Sequence, residues 1–197
     1  MEEERRNLIY ARDVLDFVTV STEYCTLMDS LHTYTQEKFI QYTLKLLPLI
    51  YMKAQLLPDI ELDDREGIEK YVSEEEWNKV NLQIHKIMDN LDQYTESAGR
   101  IDSNESSSVS ENFADIYQDL RDFVYLYSTG VDEIMYDGVG EVNYSFKEYW
   151  GQRVVNLLRV LHYYCFNKKL KTELPSEVNE TEDWVIEQRK KEWGMEE

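Results

Sequence analysis

Apolar residues recur every three or four positions along almost the whole chain, and this constrains the fold more than any other feature. Residues 7–31 place Leu8, Ala11, Leu15, Val18, Cys25 and Met28 on one stripe, with Val14, Phe17, Tyr24 and Leu31 on the stripe beside it. Two adjacent stripes make the wide apolar face of a helix touched by several neighbours. No strand-like alternation of useful length competes with this pattern. Only 7 glycines and 3 prolines interrupt it, which argues against a turn-rich β fold.

The same spacing predicts further helices. Residues 35–57 form the most apolar one, with Pro48 inside it. A mid-helix proline removes a donor and crowds the carbonyl four residues back, so a kink is expected there. Ser73 followed by Glu76 reads as a capping box opening a helix whose stripe is Trp77, Val80, Ile84, Ile87, Leu91 and Tyr94. Residues 96–110 turn to Ser, Asn, Asp, Glu and Gly and read as a flexible loop. A helix at 110–128 stops near Gly130, and a link through Asp137, Gly138 and Gly140 leads to one long helix at 142–168. Residues 170–197 read as a C-terminal extension with a short docking helix. The expected fold is all-α, a single-domain bundle of about six helices.

Charge narrows the function classes. The 197 residues hold 21 Lys+Arg against 40 Asp+Glu, a formal net charge of −19. Such a surface does not grip phosphate backbones, so no direct nucleic-acid contact is expected. The segment Leu46 to Met52 is the longest unbroken apolar run, far below the ~20 residues that span a bilayer. The start Met1-Glu2-Glu3-Glu4 lacks the basic-then-apolar order of a secretion signal, and two distant cysteines, Cys25 and Cys165, read as buried thiols. These features together point to the cytoplasm.

Three Asp-x-x-Asp pairs occur, at Asp13/Asp16, Asp89/Asp92 and Asp119/Asp122. That spacing places both carboxylates on one helix face, as helical metal sites require. In so acidic a chain such pairs arise by chance, and no metal or cofactor is expected. Asp115, Asp119 and Asp122 fall on one stripe, which either faces water or meets basic groups of a second layer of the bundle or of a partner. His85, Asp89 and Asp92 share another face and read as a surface ion pair or an acid–base group. His162 follows Val155 and Leu158 toward Cys165 on an apolar stripe and is expected to be a satisfied core histidine. Arg153 and Arg159 are the natural partners of the Asp115 and Asp119 carboxylates.

Two stretches carry a family likeness. Phe113-Ala114-Asp115-Ile116-Tyr117-Gln118-Asp119-Leu120-Arg121, and Tyr149-Trp150-Gly151-Gln152-Arg153 with Leu158-Arg159-Val160-Leu161-His162, resemble the signature segments of the bacterial family called domain of unknown function 5063. The resemblance extends over roughly residues 8–170. It implies that the helices bearing the two segments pack together, with Asp115 or Asp119 bonding Arg153, Arg159 or His162. The polar cluster it marks is Asp115, Tyr117, Asp119, Arg153, Arg159 and His162. Where family members place a histidine after Trp-Gly, this chain has Arg153. The resemblance also implies a context of RNA metabolism, through genes beside a 3′–5′ exonuclease.

Three functions fit these residues. The first is a non-enzymatic adapter or regulator, binding a protein partner with a basic surface or pairing as a homodimer; its 15 tyrosines suit an interface. The second is a helical-bundle hydrolase or metal-binding protein using carboxylates with His85 or His162. The third is an acidic regulator that occupies the basic groove of a nucleic-acid-processing partner such as an exonuclease.

Overall fold

A computed structural model describes residues 2–62, 68, 70–97 and 104–167. Seven α-helices appear among them: α1 (Glu2–Ile9), α2 (Arg12–Asp29), α3 (Gln36–Ala54), α4 (Glu74–Met88), α5 (Val109–Ser128), α6 (Asp132–Ser145) and α7 (Gly151–Phe166). The all-α bundle predicted from periodicity is the fold observed. The 170–197 extension and its docking helix lie outside the described residues.

The double stripe at 7–31 does not make one helix. The chain breaks at Tyr10-Ala11, where Ala11 is extended, and α2 starts afresh. α3 is a single helix carrying Pro48 on its exposed side. α4 begins with the predicted capping box: the Ser73 side chain accepts from Glu76 N, and Glu76 Oε2 accepts from Ser73 N. α5 ends before Gly130, whose φ of +68° suits glycine.

Three expectations are corrected. Part of the stretch read as a loop at 96–110 is sheet and helix: β1 (Gln93–Ser97) pairs antiparallel with β2 (Asn104–Ser108), and α5 starts at Val109. Its strands are short and rich in polar residues, so no buried face writes an alternation into the sequence. The link through Gly138 and Gly140 is helix α6. A Cβ at Gly138 would stand 3.0 Å from Leu126 Cβ, and one at Gly140 would stand 2.9 Å from Leu62. These glycines serve close packing, which overrides their poor helix propensity.

The third correction concerns the long helix at 142–168. It is interrupted by a π-helical turn, Phe146–Trp150, in which Gly151 N donates to the carbonyl five residues back, at Phe146. A Cβ at Gly151 would lie 2.4 Å from that oxygen. Glycine is what lets the turn widen, and the widening rotates α7 relative to α6.

α5 is the axis of the molecule, packed by α2, α4, α6 and α7. An aromatic cluster fills the centre. Phe17 meets Phe123 and Trp150 with ring centroids 5.2 and 6.2 Å apart, and Phe113 meets Phe39 at 5.1 Å. Each such side chain contributes about 1.5–3 kcal/mol by leaving water. Three polar tips in and around the core are satisfied: Tyr24 Oη donates to Phe113 O, Tyr127 Oη to Ile9 O, and Trp150 Nε1 to Val142 O. Gln36 Nε2 donates to Ile87 O and Met88 O, closing the C-terminal end of α4.

Gly151→Ala forces a methyl group onto the Phe146 carbonyl. We expect a loss of about 2 kcal/mol in urea unfolding, with far-UV circular dichroism retained. A variant as stable as the parent would refute the role given to this glycine.

Candidate functional site

The stripe Asp115, Asp119, Asp122 does not face water. Each carboxylate is turned toward a neighbouring element, because α5 is covered on several sides by α2, α4, α6 and α7. Asp115 is half-buried between α4 and α7. Its Oδ1 accepts from Trp77 Nε1 at 3.0 Å, and its Oδ2 accepts from Arg153 Nε at 2.7 Å. The two signature helices meet through this ion pair.

Asp119 points to the end of α6, where Ser145 Oγ donates to it at 2.8 Å. It lies beside Lys70, Asp122 and Glu141. Burial is the main cause that lifts its carboxyl to about 6; the Ser145 bond and Lys70 oppose this, while Asp122 and Glu141 add to it. Asp122 is 3% exposed, and its Oδ1 accepts from Tyr71 N and Val72 N at 2.8 and 2.9 Å. It therefore holds the strand of chain that leads into α4. Burial raises its carboxyl as well, against the two backbone bonds. Lys70 Nζ donates to Glu141 at 2.9 Å across the same cluster.

The remaining members of the predicted cluster are elsewhere. Tyr117 Oη donates to Asp29 at 3.3 Å on the opposite side of α5, near Arg121. Arg159 is exposed and reaches Thr95 O, on β1, at 3.4 Å. His162 is not a core histidine: it is exposed and lies against Phe166, ring centroids 4.6 Å apart. The buried stripe of α7 is Val154, Leu157, Leu161 and Tyr164, and His162 lies off it. Of the six residues, only Asp115 and Arg153 touch each other.

Asp92 turned out to be more than a surface partner of His85. It is 1% exposed and ties four pieces of chain together. Its Oδ1 accepts from Ser110 N at 2.8 Å; its Oδ2 accepts from Ser108 Oγ at 3.0 Å and Ser110 Oγ at 3.1 Å, and meets His85 Nδ1 at 2.7 Å. This anchors the hairpin and the first turn of α5 to the end of α4, with the acid where a helix N-terminus favours an anion. Asp89 is exposed, with a φ of 48°, and takes no part. Burial alone would raise the Asp92 carboxyl, but the bonds from His85 and the two serines outweigh it and hold it below its usual value. Ser108 and Ser110 are residues sequence reasoning missed. Ser108 is the N-cap of α5 and Ser110 lies in its first turn, a signal that fell inside the stretch read as loop.

Among the described residues, no three His, Cys, Asp or Glu converge closely enough to hold a metal ion. Both cysteines are free; Cys165 is only half-buried, while burial lifts the Cys25 thiol to about 12. None of the helices described is long and apolar enough to cross a membrane.

The signature acids of α5 thus brace the helices packed around it. The chain belongs to the family described as Domain of unknown function (DUF5063), whose pattern it matches over residues 9–167. A crystal structure of protein BF1032 from Bacteroides fragilis is similar: 33% identity, a TM-score of 0.75, covering 84% of this chain and 99% of that one. No curated protein matches the sequence.

Two carboxylates should move stability with pH in opposite directions. Asp92 is held low, so its contribution is full above about pH 4 and is lost as pH falls through its lowered value. Asp92→Ala strands the donors of Ser108, Ser110 and His85 and should cost about 3 kcal/mol at pH 7 in urea unfolding; a loss below ~1 kcal/mol would refute its role as anchor. Asp119 is held high, so the folded state binds more protons than the unfolded chain between about pH 4 and 6, and stability falls as pH rises through that window. Asp119→Asn should then match the parent near pH 4.5 and exceed it by about 2 kcal/mol at pH 7.5. Parallel stability curves for the two proteins would show that burial does not penalise this ionised carboxylate.

Proposed function

We propose that this protein is a non-enzymatic binding module of the cytoplasm, an adapter or regulator that docks a protein partner. The observation that carries the reading is how the reactive side chains are used. Asp92, Asp115, Asp119 and Asp122 are each taken up by serines, an indole, a guanidinium or backbone N–H groups. Their bonds join helices to one another.

The outer face of α7 supports the same reading. Val155, Arg159, His162 and Phe166 follow one another at helical spacing on it, and Phe166 is 66% exposed, with Tyr163 beside it. Aromatic and arginine side chains of this kind anchor interfaces. The charge of −19 favours a partner that is basic around that contact, with encounter accelerated at low salt. Two free thiols fit a reducing compartment.

A hydrolase reading draws on His85, whose Nδ1 is fixed by buried Asp92 while the ring is exposed. That is how a base is oriented. Here, however, Ser108 and Ser110 bond the carboxylate directly instead of the imidazole, so neither serine is aligned with the base as a nucleophile. The reading as an acidic regulator of a nuclease needs carboxylates in a phosphate-like row. The row at 115, 119 and 122 is turned inward.

The test is affinity capture from the native cytoplasm with the parent protein and with a Val155→Asp/Phe166→Ser variant. We expect a stoichiometric partner at low salt that is released as ionic strength rises and is lost from the variant. Capture of nothing specific at low salt, or equal capture by the folded variant, would overturn the reading.

A further inference from the structure

A cleft of about 300 Å³ opens between the end of α2, the outer flank of α4 and the middle of α5. Tyr117 and Arg121 line it from α5, one turn apart, and both belong to the signature segment. Glu76, Lys79 and Gln83 line it from α4, at the spacing of one helical face. Asp29 closes it from α2, and Met28 and Val80 supply an apolar floor.

The hydrogen-bonding capacity left in this cleft is mostly that of donors. Both oxygens of Asp29 are engaged, Oδ1 by Tyr117 Oη and Oδ2 by Arg121. Glu76 Oε2 is engaged by the capping box. The cations are not used up in the same way. Arg121 has five N–H groups; it forms a single loose ion pair with Asp29, at 3.4 Å, and lies against the Cys25 thiol. Lys79 Nζ forms no hydrogen bond or ion pair among the described residues. A guanidinium fork, an ammonium and the Gln83 amide thus face one small space, and a planar carboxylate matches that set.

Two further facts narrow the ligand. The lining holds two acids, Asp29 and Glu76, and two bases, Lys79 and Arg121, so its formal charge is zero. A dianionic phosphate would be repelled by the acids. Asp29 is also the last residue of α2, where the helix dipole disfavours an anion. Its one cationic contact is long, so a second positive group beside it would be favourable. The cleft therefore offers the donors of Arg121, Lys79 and Gln83 beside a carboxylate, Asp29, whose pairing with Arg121 is long at 3.4 Å.

We propose that this cleft binds a small amino carboxylate, with the ligand carboxylate on Arg121 and Lys79 and its ammonium beside Asp29. The site is separate from the outer face of α7 and stands whether or not that face docks a partner. Tyr117 positions Asp29 through its hydroxyl. The segment bearing Tyr117 and Arg121 thereby brings binding groups to one side of α5 while Asp115 braces α7 on another.

The experiment is a thermal-shift and calorimetric screen of the full chain against individual amino acids, with acetate and inorganic phosphate as controls at equal concentration. One or more amino acids should raise Tm by a few °C at about 10 mM, whereas acetate and phosphate should not. Arg121→Gln and Lys79→Gln should each weaken binding about tenfold or more, and Asp29→Asn should weaken it toward the level of acetate. Lys79 makes no internal bond, so Lys79→Gln keeps the test decisive if either of the others perturbs folding, which circular dichroism reports. No response to any amino acid, binding unchanged in Lys79→Gln, or phosphate as effective as the amino acids would each overturn the proposal.

Discussion

The enclosure of α5 is the constraint on which the rest of the structure depends. A helix packed by α2, α4, α6 and α7 has little surface left for water, yet this one carries aspartates at 115, 119 and 122. A buried carboxylate must find donors or give up its charge. Each acid takes a different course. Asp115 pairs with Arg153 and the Trp77 indole. Asp122 takes two backbone N–H groups but stays raised by burial. Asp119 has one serine and remains the least stabilised as an anion. Neighbouring elements are thus placed by acids that need partners as well as by apolar contact.

The same logic explains the joints. The Asp92 carboxylate gathers Ser108 of β2 and the N–H and hydroxyl of Ser110 in α5 to the end of α4, so the strand pair, which could not persist alone in water, is held by a buried anion. The π turn at Phe146–Trp150 is the other joint. It sits where Ser145 meets Asp119 and where Trp150 enters the aromatic centre, and Gly151 leaves the space it needs. One joint sets the start of α5; the other sets how α7 lies against it.

Much of this was legible in the residues. The helices with clean stripes, the capping box at Ser73 and Glu76, and the stop at Gly130 follow from local rules that hold wherever the chain goes. The meeting of the two signature helices was implied by the family resemblance, and Asp115 with Arg153 makes it. The hairpin escaped notice because strands without a buried face leave no alternation. α6 escaped because glycine reads as a breaker unless the close approach of Leu126 and Leu62 is known.

By itself, then, the sequence determined that this chain is helical, acidic and able to bury a large aromatic core, because 3.6-residue periodicity and net charge are properties of a chain whatever its partners. Only the tertiary structure decided which carboxylates lie inside, that His162 faces out and that Tyr117 and Arg121 share a cleft with Asp29. The reason is physical: a helical stripe states which side chains go together but not what stands opposite them. What stands opposite α5 is assembled from distant segments, as Tyr127 and Ile9 illustrate with a separation of 118 positions.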